Sequence, residues 1–166
     1  MGAVTGQPYE ACFRDLFAIA YRVGYRILGD RSQAEDVAAE ACARAYARWK
    51  TVSGHSEPWV ARVAGNLALD EVRRLTRWRR RESALHERDL GGDPHRAERL
   101  DLQQALQRLS KRQREVLIMR YVADMSERDV AETLGCSVGT VKSTASRAMA
   151  LVRAGLTAGE EVRNDA

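Results

Sequence analysis

Cysteine is scarce. The three present, Cys12, Cys42 and Cys136, are odd in number and far apart, so neither a disulfide framework nor a paired-thiol metal site can be built within the chain. A reducing compartment, the cytoplasm, is expected. No stretch approaches eighteen uninterrupted apolar residues, and the N-terminal MGAVTGQPYEACFRD lacks a basic region followed by an apolar run. Secretion and membrane spanning are therefore not expected. No period-two alternation of useful length appears, so the chain reads as all-α. His55, His86 and His95 have no cysteine or paired acid at a metal spacing. A Gly-rich phosphate loop and a Ser/His/Asp grouping are also missing, so no enzymatic activity and no cofactor are expected. Asp70-Glu71 is not a catalytic pair, because adjacent helical residues point about 100° apart.

What is present is a 166-residue chain, 45% hydrophobic and 30% charged, with a net charge of +4. That profile is globular, with room for one ordinary domain or two small ones. Only 3 of its 27 basic residues are lysine, which suggests a G·C-rich genome. The charge is unevenly placed. Pro58 to Arg81 carries seven arginines against Asp70 and Glu71, Glu82 to Gln104 carries six acids against three arginines, and Ala105 to Leu156 carries nine bases against five acids. Two basic segments flanking an acidic one point to a polyanionic partner.

Phe13, Leu16, Phe17, Ala20, Val23, Gly24, Ile27 and Leu28 recur at helical spacing and predict a first helix with one buried stripe, ended by Gly29-Asp30. Ser32 with Glu35 has the form of a capping box opening a second helix that runs to about Lys50. A polar stretch, Thr51 to Glu57, precedes Pro58, which suits the first turn of a third helix running to about Arg77. Gly91-Gly92 and Asp93-Pro94 mark a linker. Two small helical domains are predicted, 1–81 and 99–166, joined by a linker at 82–98. They are expected to sample several arrangements unless they pack together. In the second domain, a four-helix unit, Ser110 with Gln113 is a further capping box, and shorter helices follow from about Ser126 to Leu134 and Val138 to Arg153.

SERDVAETLGCSVGTVKSTASRAM has the spacing of a helix-turn-helix. Ala131 is small where two helices cross, Gly135 can take the positive φ of the turn, and Val141 plugs the corner. Ser137 can cap the second helix. Thr140, Lys142, Ser143, Ser146 and Arg147 are then left for phosphates or base edges in a major groove. On a helical wheel Arg62, Asn66, Arg73 and Arg77 form a second basic stripe, opposite Val60, Val63, Ala64 and Leu67. Trp49 and Trp59 are expected in the core, and Trp78, amid Arg77 to Arg81, is placed for nucleic-acid contact. The cysteines are expected as small buried hydrophobes.

Asp30-Arg-Ser-Gln-Ala-Glu-Asp-Val37, Glu57-Pro-Trp-Val-Ala-Arg-Val-Ala-Gly-Asn-Leu-Ala-Leu-Asp-Glu-Val-Arg-Arg74 and Leu109 to Arg147 resemble, in order and spacing, conserved regions 2 and 4 of extracytoplasmic-function sigma factors. The resemblance covers about Phe13 to Leu156. It implies a bacterial initiation factor that binds core RNA polymerase and directs it to promoter DNA, with an anti-sigma factor as a further kind of partner. Glu35, Asp36 and Glu40 match the acidic stretch that docks on the polymerase. Arg62, Asn66, Arg73 and Arg74 match the face that reads the minus-ten element, with Arg77 on the same stripe, and His55 and Ser56 lie where the family captures an unstacked base. Ser137, Thr140, Lys142, Ser143, Ser146 and Arg147 fall in the minus-thirty-five helix, and the linker would thread toward the RNA exit path. The chain departs from the family at Ala39, Thr144-Ala145 and Met149. The rival readings are a stand-alone helix-turn-helix regulator, which would bind duplex DNA unaided as a dimer, and an RNA-binding interaction module.

Overall fold

The computed structural model describes residues 7–82 and 95–164, and every regular element among them is helical. Helix α1 (Tyr9–Leu28) buries Leu16, Ile19, Ala20, Val23 and Ile27, so the core stripe starts one turn later than predicted, and Phe13 is 43% exposed. Helix α2 (Arg31–Ala47) opens on a different cap from the predicted Ser32–Glu35 pair. Asp30 is extended and its carboxylate accepts from the Gln33 amide at 2.8 Å, whereas Ser32 is already inside the first turn. Along α2 the buried face is Ala34, Val37, Ala38, Ala41, Cys42 and Ala45. Small side chains there let α1 lie close, with Gly24 against Ala34.

The predicted polar stretch 51–57 is helical instead. α2 ends before Arg48, α3 (Trp49–Val52) is a single turn, and a 3-10 turn (Ser53–His55) leads directly into α4 (Ser56–Glu82). Pro58 sits in the first turn of α4 as expected, where a missing N–H costs nothing. The helix continues five residues past Arg77 to Glu82, and its last turn carries Arg79, Arg80 and Arg81, whose charge suits the negative end of a helix dipole. Trp59 is buried, Trp49 is half-buried with its indole N–H donating to the Gln7 carbonyl, and Trp78 is exposed.

Residues 83–94 of the predicted linker lie outside the described residues. After them come α5 (Arg96–Arg108) and α6 (Lys111–Leu117). The Ser110–Gln113 capping box forms in both directions, at 3.0 and 3.3 Å. α6 widens into a π turn (Ile118–Val122), followed by α7 (Glu127–Leu134) and α8 (Val138–Asn164), which runs well beyond the predicted Arg153.

The two halves pack together, the condition under which the predicted freedom of arrangement is lost. α4 meets α6, the π turn and α7, while α1 meets α5. Arg26 donates to the Val122 carbonyl at 2.8 Å, and Gln103 to the Ile27 carbonyl at 2.6 Å. Ile118 is wholly buried, and a side chain of that size contributes about 1.5–3 kcal/mol when withdrawn from water.

Candidate nucleic-acid interface

The helix-turn-helix forms as its sequence spacing predicts. Ser126 caps α7, and Val130 and Ala131 are buried where α7 crosses α8. Gly135 adopts φ 61°, ψ 44°, and the Cys136 amide returns to the Ala131 carbonyl at 3.0 Å. This left-handed turn satisfies the last carbonyls of α7 at no cost to a side chain. Ser137 Oγ then accepts from the Thr140 amide at 3.1 Å. Val141, Ala145 and Ala148 point inward and are buried, which leaves Thr140, Lys142, Ser143, Ser146 and Arg147 on the open face.

Those polar residues are not equivalent. Ser137 and Thr140 spend their hydroxyls on each other at 2.9 Å, and Ser143 donates to the Thr140 carbonyl at 3.1 Å. Lys142 lies 3.6 Å from Glu127 yet keeps 64% of its side chain exposed, so a phosphate can replace that carboxylate. Over the first three turns of α8 the outward charge therefore belongs to Lys142 and Arg147.

On α4 the predicted open stripe is only partly open. Arg74 and Arg77 are exposed, but Arg62, Asn66 and Arg73 are half-buried. Asn66 Nδ2 donates to Glu115 Oε1 of α6 at 3.3 Å, and Glu115 is only 6% exposed. Arg73 is held by Asp70 at 2.9 Å, and Arg74 by Glu71 at 2.5 and 2.8 Å. Hydrogen bonding from the Arg74 guanidinium holds the Glu71 carboxyl below its ordinary value. Ser56 is buried at the start of α4 rather than displayed in a loop, because the chain there is continuous helix, and His55 is half-buried in the 3-10 turn. α7 rests against that turn.

Glu35, Asp36 and Glu40 share the exposed side of α2, with Glu40 bonded to Arg44 at 2.7 Å. Beside them lies a groove of about 560 Å³ lined by Tyr9, Phe13, Phe17, Cys42, Ala43 and Tyr46, which sequence reasoning missed. Its signal was available: Tyr9, Phe13 and Phe17 stand four apart, as do Cys42 and Tyr46, and such residues share a helix face. The Tyr9 hydroxyl donates to the Cys42 carbonyl at 2.9 Å. Burial, reinforced by the neighbouring Cys42, pushes its pKa up to about 12, and burial likewise raises the Cys42 thiol. Among the described residues no three His, Cys, Asp or Glu side chains gather as a metal site, and no helix is long and apolar enough to cross a membrane.

Comparison with known proteins agrees with this geometry. Residues 9–79 match the family model for Sigma-70 region 2, and residues 99–152 match that for Sigma-70, region 4. The chain is 31% identical over 156 residues to the ECF RNA polymerase sigma factor SigL of Mycobacterium tuberculosis, a match spanning 87% of this chain and 86% of the relative. It is 33% identical over 141 residues to the RNA polymerase sigma-E factor of Streptomyces coelicolor, spanning 82% and 79%. In fold it is similar to the sigma factor RpoE solved with the anti-sigma factor NepR from Bartonella quintana, with a TM-score of 0.56 at 21% identity over 90% of this chain and 96% of that one. CnrH, solved with the cytosolic domain of CnrY, gives 0.55 at 23% identity, covering 90% of each chain.

Proposed function

This chain belongs to the extracytoplasmic-function sigma factors, which direct RNA polymerase to promoters, and from that membership we propose how its surfaces divide the work. Residues 1–81 act as the polymerase- and minus-ten-binding domain, 82–98 as the linker, and 99–166 as the minus-thirty-five-binding domain. Glu35, Asp36 and Glu40 dock on core polymerase. A carboxylate face of this kind suits a basic helical partner, and the apolar groove beside it offers burial where the charges offer orientation. The same groove would take an amphipathic helix of an anti-sigma factor, the kind of partner with which the neighbour RpoE was solved.

Arg62, Asn66, Arg73, Arg74 and Arg77 face the minus-ten element, with half-buried His55 at the end of the stripe where an unstacked base would be held and Ser56 buried behind it. Ser137, Thr140, Lys142, Ser143, Ser146 and Arg147 form the minus-thirty-five helix. Since Ser137 and Thr140 are committed to the cap, Lys142 and Arg147 supply most of its affinity through phosphates. The chain supplies specificity in the cytoplasm, and the chemistry of RNA synthesis stays with the polymerase.

One observation carries this reading: an acidic, groove-flanked α2 face and a basic recognition helix α8 stand exposed on separate surfaces of one chain. Reconstituted transcription with bacterial core polymerase and a genomic promoter library tests it. Promoter-specific transcripts should appear only when the chain is added. Sequence-specific duplex binding by the chain alone, as a dimer, with no stimulation of core polymerase, would instead make it a stand-alone regulator.

A further inference from the structure

A cavity of about 470 Å³ opens where α1 ends and α2 begins, and residues from the last turns of α4 and the first turns of α5 complete its walls. That volume is typical of small-molecule sites, which run to about 300–1,000 Å³. None of the residues assigned above to polymerase or promoter lines it. We propose that this cavity binds a nucleotide carrying two or more phosphates, the phosphates on its arginines and the nucleoside on its apolar and hydrogen-bond-accepting side chains.

The arginines come from two helices. Arg79 belongs to α4, while Arg96 and Arg99 stand three apart on one face of α5. Against these three guanidiniums the described lining sets one carboxylate, Asp30, and one of its oxygens already accepts from the Gln33 amide at 2.8 Å. A guanidinium fork binds phosphate oxygens in pairs, so three forks around one cavity suit a chain of phosphates better than a single small anion. Arg99 reaches its place because residue 29 is glycine, since a Cβ there would collide with the guanidinium. Gln103 donates to the Ile27 carbonyl at 2.6 Å, which holds the α5 wall against the end of α1.

The rest of the lining asks for something other than phosphate. Gln33 Oε1 is buried and accepts no hydrogen bond among the described residues. A buried acceptor left bare is costly, and a donor on a ligand would relieve it. Ionised phosphates bring acceptors only, whereas the hydroxyls of a ribose and the amino group of a base bring donors. Leu28, Leu75 and Leu100 add apolar surface that a base can cover, and Leu100 is otherwise 39% exposed. Because the walls come from both halves of the chain, a bound nucleotide adds to the stability of the folded molecule, and the melting temperature rises with its concentration.

Isothermal titration calorimetry of the full-length chain tests the site, with ATP, GTP, inorganic tripolyphosphate and adenosine as probes. One of the two nucleotides should bind at one per chain and about tenfold or more tighter than tripolyphosphate, the gain from one satisfied acceptor and a covered apolar wall. Adenosine alone should give no saturable heat. Arg79→Ala should weaken the nucleotide about tenfold, the effect of one lost charge-assisted contact, and Arg79→Ala with Arg99→Ala should abolish saturation by nucleotide and tripolyphosphate alike. Gln33→Leu should weaken the nucleotide about tenfold and leave tripolyphosphate unchanged. Arg81→Ala lies on the same helix end but outside the cavity, so it reads diffuse attraction and should change neither.

No saturable binding of either nucleotide would overturn the proposal. Equal losses in Arg79→Ala and Arg81→Ala would overturn it as well, by showing attraction to the basic surface rather than to a cavity. Tripolyphosphate binding as tightly as the nucleotide, with Gln33→Leu silent, would make the cavity a site for inorganic phosphate chains and refute the nucleotide. If the double variant loses its helical circular dichroism, Arg79→Ala, whose side chain is exposed, decides alone.

Discussion

Replacing Gly135 with alanine isolates the conformational demand of the helix-turn-helix corner. The residue sits at φ 61°, and a Cβ placed there would meet nothing within 4 Å, so crowding adds nothing to the cost. What remains is the backbone term, about 1–2 kcal/mol for an L-residue held in the left-handed region. Alanine also restricts the unfolded chain, which returns about 0.4–1 kcal/mol. The net loss should be about 1 kcal/mol. For a chain of this length that lowers the melting temperature by about 2–4 °C. Gly135→Asn should lose less, because asparagine tolerates this conformation better than alanine does. Urea and thermal unfolding followed by circular dichroism would measure both. A loss above about 3 kcal/mol would mean that a side chain at 135 collides with something, and no loss at all would mean that the turn does not require its positive φ; either result refutes the reasoning.

Asp36→Lys with Glu40→Lys should weaken co-elution with core polymerase by about 2 kcal/mol or more while leaving the fold nearly intact, since the Glu40–Arg44 pair is 51% exposed on both sides and contributes little. Unchanged co-elution of the folded double variant would remove these acids from the interface. Lys142→Ala and Arg147→Ala should weaken all promoters alike and flatten the salt dependence, whereas Asn66→Ala and Arg73→Ala should impair strand opening seen by permanganate; a promoter matrix in which the two pairs behave identically contradicts that division. Tyr9 has a folded pKa of about 12 against an ordinary 10, so the fold favours its protonated form. Its contribution is complete below pH 10 and declines as pH rises toward 12. The urea midpoint should fall over that window in the parent chain and fall less in Tyr9→Phe.

Most of the fold was legible because its signals are local. The Ser110–Gln113 box, the Gly135 turn and the Val141 plug are each specified by residues within one or two helical turns of one another, and each appears where its spacing placed it. Boundaries were less legible. Asp30 competes with Ser32 for the same helix start, and both are good caps, so sequence alone could not rank them. The 51–57 stretch reads as polar loop, yet Val52 is buried where α3 packs against α2 and α4, and that burial sustains helical structure which propensity would not. At the candidate interface, periodicity correctly placed Arg62, Asn66, Arg73 and Arg77 on one stripe. It was silent about what lies above them, because Asn66 and Glu115 are 49 residues apart and neither belongs to an apolar pattern.

The same silence explains why closure of the two halves could not be anticipated, and its energetics explain why closure need not be permanent. Ile118, packed on α4 at Gly65, contributes part of its burial to the closed form, and the Arg26–Val122 and Gln103–Ile27 bonds each add about 0.5–1.5 kcal/mol. Against them stands Arg114. Its Nε is buried with no hydrogen-bond partner among the described residues, and burial, with Arg73 adding to it and Asp70 and Glu115 opposing it, lowers its pKa. Arg114→Gln, which removes the charge beside Arg73, should therefore shift the balance toward the closed form and slow promoter opening in the presence of polymerase. Faster opening by that variant would show that Arg114 holds the halves together rather than apart.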